Sequence, residues 1–343
     1  MTRPQPMIPK GLSPMRLVTK AGALALAGAL LLAGCGGASE QASPGGAPEP
    51  LSIAYASDID PNDIADQIGI EAAGAEVTAL TEDSAVTAGL INGDYDIGNI
   101  DITAAIKAIQ AGVPIKIVYV AQNLPEFVMV AQADITDVAQ PPGRPVAYHS
   151  PGSLTEILQR ELVKQTDPAI EGEIDWTVLP ESPNRAAAMV AGQIDATTLE
   201  YLDVLALQKQ GSFTILGDWG DLTGTSADAI ATGWVVSDSF LAENQPAIVE
   251  FLRQVQAGYD TAYSDKATWT ATAERLLPDA DPADLSMAYD YYVEVGMYPR
   301  TGTQPLTQER WAGLDGFFRQ IGEYDQEATI SMVDMAVADE ING

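Results

Sequence analysis

The chain has 343 residues, 46% hydrophobic and 19% charged, which excludes disordered, collagen-like and coiled-coil architectures and fits one or two globular domains. Lys and Arg total 17 against 48 Asp and Glu, and the net charge of −31 repels phosphate, which argues against a nucleic-acid partner. A single Cys and a single His leave no material for a zinc site or a disulfide framework, so neither metal nor cofactor is expected.

The first elements in chain order are targeting signals. Arg3, Lys10, Arg16 and Lys20 form a positive stretch with no acidic residue before Glu40. Residues 21–33 (AGALALAGALLLA) are apolar but too short to span a bilayer comfortably. They end in Leu32-Ala33-Gly34-Cys35, which resembles the lipobox of bacterial lipoproteins. The resemblance implies that residues 1–34 are a signal peptide and that Cys35 is acylated as the new N-terminus. The protein is then held by its lipid on the outer face of the cytoplasmic membrane. Residues 35–50, rich in Gly, Pro, Ala and Ser, have nothing to bury and read as a flexible tether.

The body alternates strand and helix. Apolar strand candidates are 51–55 (LSIAY), 76–80, 115–120 (IKIVYV), 127–131 (FVMVA), 145–148, 176–179, 213–216 and 234–236. Between them, Ser153-Leu154-Thr155-Glu156 reads as a capping box at the head of a helix running to Gln165. Ser182-Pro183 reads as an N-cap followed by Pro at the first helical position, with Gly192 ending that helix. From Pro246 onward the chain is mostly helical. Alternation of this kind predicts an α/β fold with largely parallel sheets.

An internal repeat carries the most information. At an offset of 99 residues, Gly93 falls on Gly192, Asp96 on Asp195, Asp101 on Glu200 and Gly112 on Gly211. Each copy reads as helix, Gly turn, strand and second helix. Two copies predict two similar lobes whose strand ends face one another across a cleft, because ligands of open α/β sheets collect outside the carboxyl ends of the strands. Asp101 and Glu200 then become pseudo-symmetric partners.

These pieces together resemble the solute-binding proteins of bacterial ABC importers, and most closely the nitrate/sulfonate/taurine and thiamine-precursor group. The matching segments are residues 90–97 (LINGDYDI), 111–114 (AGVP) and 192–196 (GQIDA), then Trp234-Val235-Val236 with Phe240-Leu241, Pro246 and Phe251-Leu252. The resemblance covers about residues 51 to 264. It implies a type II periplasmic-binding-protein fold, two α/β lobes with a ligand cleft between them, and hinge closure around a small solute. Lobe 1 is expected from 51–139 plus 231–343 and lobe 2 from 140–230. The implied partners are a small-molecule solute and an ABC permease, with the protein itself a monomer and not an enzyme. An enzyme related to thiamine-pyrimidine synthesis shares this fold family, but it would need a Cys-rich metal cluster, and the only Cys is spent on the lipid.

Departures from the group's pattern bear on the solute. Where sulfonate binders tend to carry a small Gly/Ser stretch, this chain has Asp101-Ile102-Thr103, and where they tend to carry an aromatic and a Pro it has Glu200-Tyr201-Leu202. A carboxylate on each lip repels a bare anion and favours N–H donors or a positive nitrogen, as on an aminopyrimidine, a flavin-like ring or an amino-acid-like solute. Taurine, alkanesulfonate or nitrate is the alternative. Asp101 also reads as a plain helix cap for 102–111, whereas Glu200 is a poorer cap. Tyr55, Ser57 and Asp58 after the first strand, Glu126 near a crossing segment, Ser150 and Ser153 at a helix start, and Tyr201 complete the ligand-binding candidates. His149, Trp219 and Trp234 read as structural.

Overall fold

The computed structural model describes residues 50–342 apart from Thr81, Pro141, Pro142 and Gln304. The signal-peptide segment, Cys35 and nearly all of the tether lie outside the described residues. The expected alternation is present. In order come β1 (Ser52–Tyr55), α1 (Ile64–Ala73), β2 (Glu76–Ala79), α2 (Asp83–Asn92), β3 (Ile97–Asp101), α3 (Ile102–Gln110) and β4 (Ile115–Gln122). Then follow β5 (Val128–Gln132), β6 (Pro145–Tyr148), α4 (Leu154–Thr166), β7 (Asp175–Val178), α5 (Ser182–Val190), β8 (Ala196–Leu199), α6 (Tyr201–Gln208) and β9 (Phe213–Asp218). The chain finishes with β10 (Thr232–Ser237), α7 (Asp238–Ser264), α8 (Lys266–Leu276), α9 (Pro282–Val295), α10 (Gln308–Gln320) and α11 (Met335–Asn342).

The strands form two five-stranded sheets of the same topology, β2-β1-β3-β10-β4 and β7-β6-β8-β5-β9. In each, four strands share one direction and the fifth, β10 or β5, lies antiparallel between its neighbours. The repeat is therefore structural, with α2-β3-α3-β4 answered by α5-β8-α6-β9. Gly93 is the C-cap of α2 and Gly192 follows the Ala191 C-cap of α5, at φ of 76° and 65°, left-handed conformations that Gly adopts without a Cβ clash. The repeated Asp residues tie down the strands that follow. Asp96 accepts from the Ser52 amide and hydroxyl at 2.8 and 2.9 Å, and Asp195 pairs with Arg144 at 2.6 Å.

Two expectations need correction. β5 pairs with β8 and β9, so the chain passes into the second lobe between Gln122 and Val128, not at residue 140. The long apolar run hid this, because a buried strand reads alike in either sheet. Ser182 is the first residue of α5 and not its cap; Glu181 takes that place.

Helix α1 crosses α7 at a contact that only glycine permits. A Cβ on Gly69 would lie 2.4 Å from Val255 Cα, and one on Gly258 would lie 2.3 Å from the Ala65 carbonyl oxygen. Pro246 sits within α7, and the helix kinks at Asn244, whose φ of −129° is non-helical. The outer edge of β4 is covered by the C-terminal segment, where Ile117 bridges to Val333. Helices α9 and α10 reach back to the second lobe. Tyr291 stacks on Tyr201 at 3.9 Å, Phe317 meets Trp219 edge-on at 6.2 Å, and Lys209 pairs with Asp281 and Asp284. Trp234 is fully buried, and its Nε1 donates to the Tyr259 hydroxyl at 3.1 Å. Both tryptophans serve packing, as expected.

Candidate functional site

The carboxyl ends of β1, β3 and β8 open onto a cleft made of two adjoining chambers. The first, about 270 Å³, is lined by residues including Tyr55, Ser57, Asp60, Asp63, Gln122 and Glu126. The second, about 350 Å³, is lined by residues including His149, Ser153, Thr155, Glu181, Ser182 and Arg185. Asp101, Phe127, Leu154 and Glu200 border both. A larger groove of about 840 Å³ runs between α2 and α3, but it shares no lining residue with the chambers and touches neither Glu126 nor Glu200.

Most of the residues singled out in the sequence come together here. Tyr55, Ser57 and Glu126 line the first chamber, Ser153 the second, and Asp101 and Glu200 stand at their junction. Neither Asp101 nor Glu200 uses its side chain as a helix cap, although each sits at the N-cap position, of α3 and α6 respectively. Their carboxyl groups are thus available to the cleft. Three candidates fall elsewhere. Asp58 is exposed and lines neither chamber. Ser150 belongs to the turn before α4, where its amide and carbonyl both engage Ser153. Tyr201 is taken up by its stack on Tyr291. Cys35, the proposed lipidation site, lies outside the described residues. At α4 Ser153 caps the helix, accepting from the Glu156 amide, but the expected capping box is incomplete, because Glu156 accepts from the Gly152 amide while the Ser153 amide donates to the Ser150 carbonyl.

The floor of the first chamber is a web of amides and acids. Asp63 accepts from Gln122 Nε2 at 3.1 Å and from the Asp60 amide at 3.0 Å. Beneath it the fully buried Asp66 accepts from the Tyr55 hydroxyl at 3.0 Å and from Asn99 Nδ2 at 3.2 Å. Glu126 accepts from the Tyr292 hydroxyl at 2.6 Å. Loss of water raises these acids: Asp66 to about 7, Glu126 to about 8, and Asp63 well above its ordinary value. Asp101 and Glu200 stand exposed at the cleft, yet partial loss of water, reinforced by Asp83 at Asp101 and by Asp60 and Asp203 at Glu200, raises each to about 7 against the opposing charges of Lys107 and Arg185. The acids lining the cleft therefore outnumber its cations, with Arg185 the one Lys or Arg among the lining residues. Among the described residues, no group of three or more His, Cys, Asp or Glu side chains is disposed to hold a metal ion.

The sequence reading passed over Asp60, Asp63, Gln122 and Arg185. The first two sit in a short 3-10 turn after β1, where Asp-Pro-Asn-Asp reads as an ordinary loop. Gln122 and Arg185 are exceptions on otherwise apolar faces. Arg185 falls on Val86 in the repeat, and that mismatch was the signal available.

A family model described as NMT1/THI5 like matches residues 71–268. No curated protein sequence matches the chain. Among solved structures, the ligand-binding component of an ABC-type import system from Staphylococcus aureus, with zinc bound, is 14% identical with a TM-score of 0.63, over 85% of this chain and 98% of that one. The periplasmic aliphatic sulphonate binding protein of Escherichia coli is 19% identical with a TM-score of 0.62, over 83% and 92%. The alkanesulfonate-binding protein of Xanthomonas axonopodis pv. citri, bound to MOPS, is 18% identical with a TM-score of 0.60, over 84% and 99%. At this level of identity the likeness shows the fold, the two-lobed periplasmic-binding type.

Proposed function

This chain belongs to the NMT1/THI5-like family, and on that premise we propose that it is an extracytoplasmic solute-binding protein of an ABC importer, anchored through Cys35. It takes a small nitrogen-bearing organic solute into the cleft and carries it without transforming it. The fold is shared with proteins named as import-system and sulfonate binders, which supports the transport role. The observation that carries the choice of solute is Glu126. Its side chain is nine-tenths buried in the wall of the first chamber, with one oxygen on Tyr292 and the other without a partner among the described residues. A positive nitrogen or N–H donor completes that site; a bare anion meets Asp60, Asp101 and Glu200 as well.

Native mass spectrometry of protein purified from cells tests the reading, since a tight solute stays bound. A retained amine, amidine or aminopyrimidine supports it, and a retained alkanesulfonate or nitrate replaces it with the sulfonate alternative. That alternative draws on the neighbours' named ligands and on Arg185 at the cleft. The anchor is tested by Cys35→Ser: the variant is expected to leave the membrane fraction, and one that stays there with residues 1–34 attached removes the lipoprotein reading.

A further inference from the structure

Arg185 breaks the symmetry of the repeat, and it does so at the cleft. Its counterpart in the first lobe is Val86, and both side chains are buried, Arg185 to 2% exposure. Its Nε donates to the Thr198 carbonyl at 2.9 Å and its Nη1 to the Leu179 carbonyl at 3.2 Å. Nη2 has no protein acceptor among the described residues, and no carboxylate there comes within ion-pair distance of the guanidinium. A buried charge is costly unless paired, and this chain, rich in acids, leaves the position beside Arg185 open on the second chamber. His149 borders the same chamber, with its Nδ1 accepting from the Glu181 amide at 3.3 Å, as does the first turn of the 13-residue helix α4.

Asp101, Glu181, Glu200 and Glu323 border the chamber too. An unaccompanied anion would therefore meet repulsion that Arg185 alone does not offset. An anionic group tethered to a positive nitrogen escapes this, because the nitrogen end takes the unpartnered oxygen of Glu126 in the adjoining chamber. We propose that the solute is a zwitterion, with its nitrogen at Glu126, a carboxylate at Arg185, and an apolar stem crossing Phe127 and Leu154, which border both chambers. This deepens the reading of the cleft given above and rests on it.

Calorimetric titration of the full chain at neutral pH tests the proposal, using ω-amino carboxylates from glycine to 6-aminohexanoate. Each is set beside the alkylamine and the alkyl carboxylate of the same length. Amino carboxylates of a matching length are expected to bind about tenfold to hundredfold tighter than either single-ended compound. In Arg185→Gln the preference for amino carboxylate over amine should collapse toward unity, and Arg185→Lys, which keeps the charge, should restore part of it. Amines that bind as well as their amino carboxylates overturn the zwitterion and leave the nitrogen-solute reading standing. Alkyl carboxylates that bind as well as the amino carboxylates overturn it as well. If no member of the series binds while alkanesulfonates do, both readings fall.

Discussion

The backbone amide of Asp101 donates to the Asp83 carboxylate at 3.0 Å, so the first residue of α2 holds the strand end that reaches the cleft. The second lobe repeats the device at the matching positions, where the Glu200 amide donates to Ser182 Oγ at 3.3 Å. With their amides held from behind, the two residues keep their own carboxyl groups for the cleft.

Removing these props should loosen the site without unfolding the lobes. Ser182→Ala and Asp83→Ala are each expected to cost about 1 kcal/mol of stability by urea unfolding, the usual size for one hydrogen bond. Each should also lower solute affinity several-fold. Unchanged affinity in both variants would show that the props do not position the carboxyls.

Glu200→Gln keeps the size and removes the charge, so it should weaken binding of a positive solute by about 1.5–3 kcal/mol, or one to two decades. Asp101→Asn is expected to behave likewise, since its side chain makes no cap bond that Asn could preserve. An Asn variant that binds like the parent would place Asp101 away from the solute.

The raised acids predict an inverted pH response. Glu126 near 8 and Asp66, Asp101 and Glu200 near 7 all stand above the value of about 4 expected in the unfolded chain. The folded form holds these protons more tightly, so the contribution is fully present below about pH 4 and is lost as pH rises through 7 and 8. The solute-free protein should melt lower at pH 8.5 than at pH 5.5, and Glu126→Gln should remove about 1–2 kcal/mol of that difference. A cationic solute favours the ionised acids, so its affinity should rise over the same window with protons released. Titrations in buffers of different ionisation enthalpy measure that release, and proton uptake would contradict a cationic solute.

Arg310 pins both crossing segments. Its Nη1 donates to Asn123 Oδ1 at 3.1 Å and its Nη2 to the carbonyls of Asn123 and Ala229 at 2.8 and 3.1 Å. Arg310→Met leaves those acceptors unpaired and is expected to cost about 2–4 kcal/mol. Small-angle scattering of the solute-free variant should show a larger radius of gyration, and an unchanged profile would deny Arg310 a part in setting the lobe angle.

Local chemistry sufficed for the elements and their repetition. Short apolar runs, the glycines at 93 and 192 and the Ser153 cap state the strands, turns and helix start within a few residues of chain, and the 99-residue offset states that two lobes match. Asp101 and Glu200 were legible for the same reason, since the repeat puts both at a strand end. The tertiary structure decided what depends on contacts between distant segments. β5 joined the second sheet because its partners β8 and β9 lie more than sixty residues downstream, beyond any local signal. The cap role read for Asp101 gave way because Asp83 takes its amide and its carboxyl makes no cap bond. Arg185 became a cleft residue only when its helix packed against β8, since a lone Arg among alanines reads as solvated until burial withdraws the water around it.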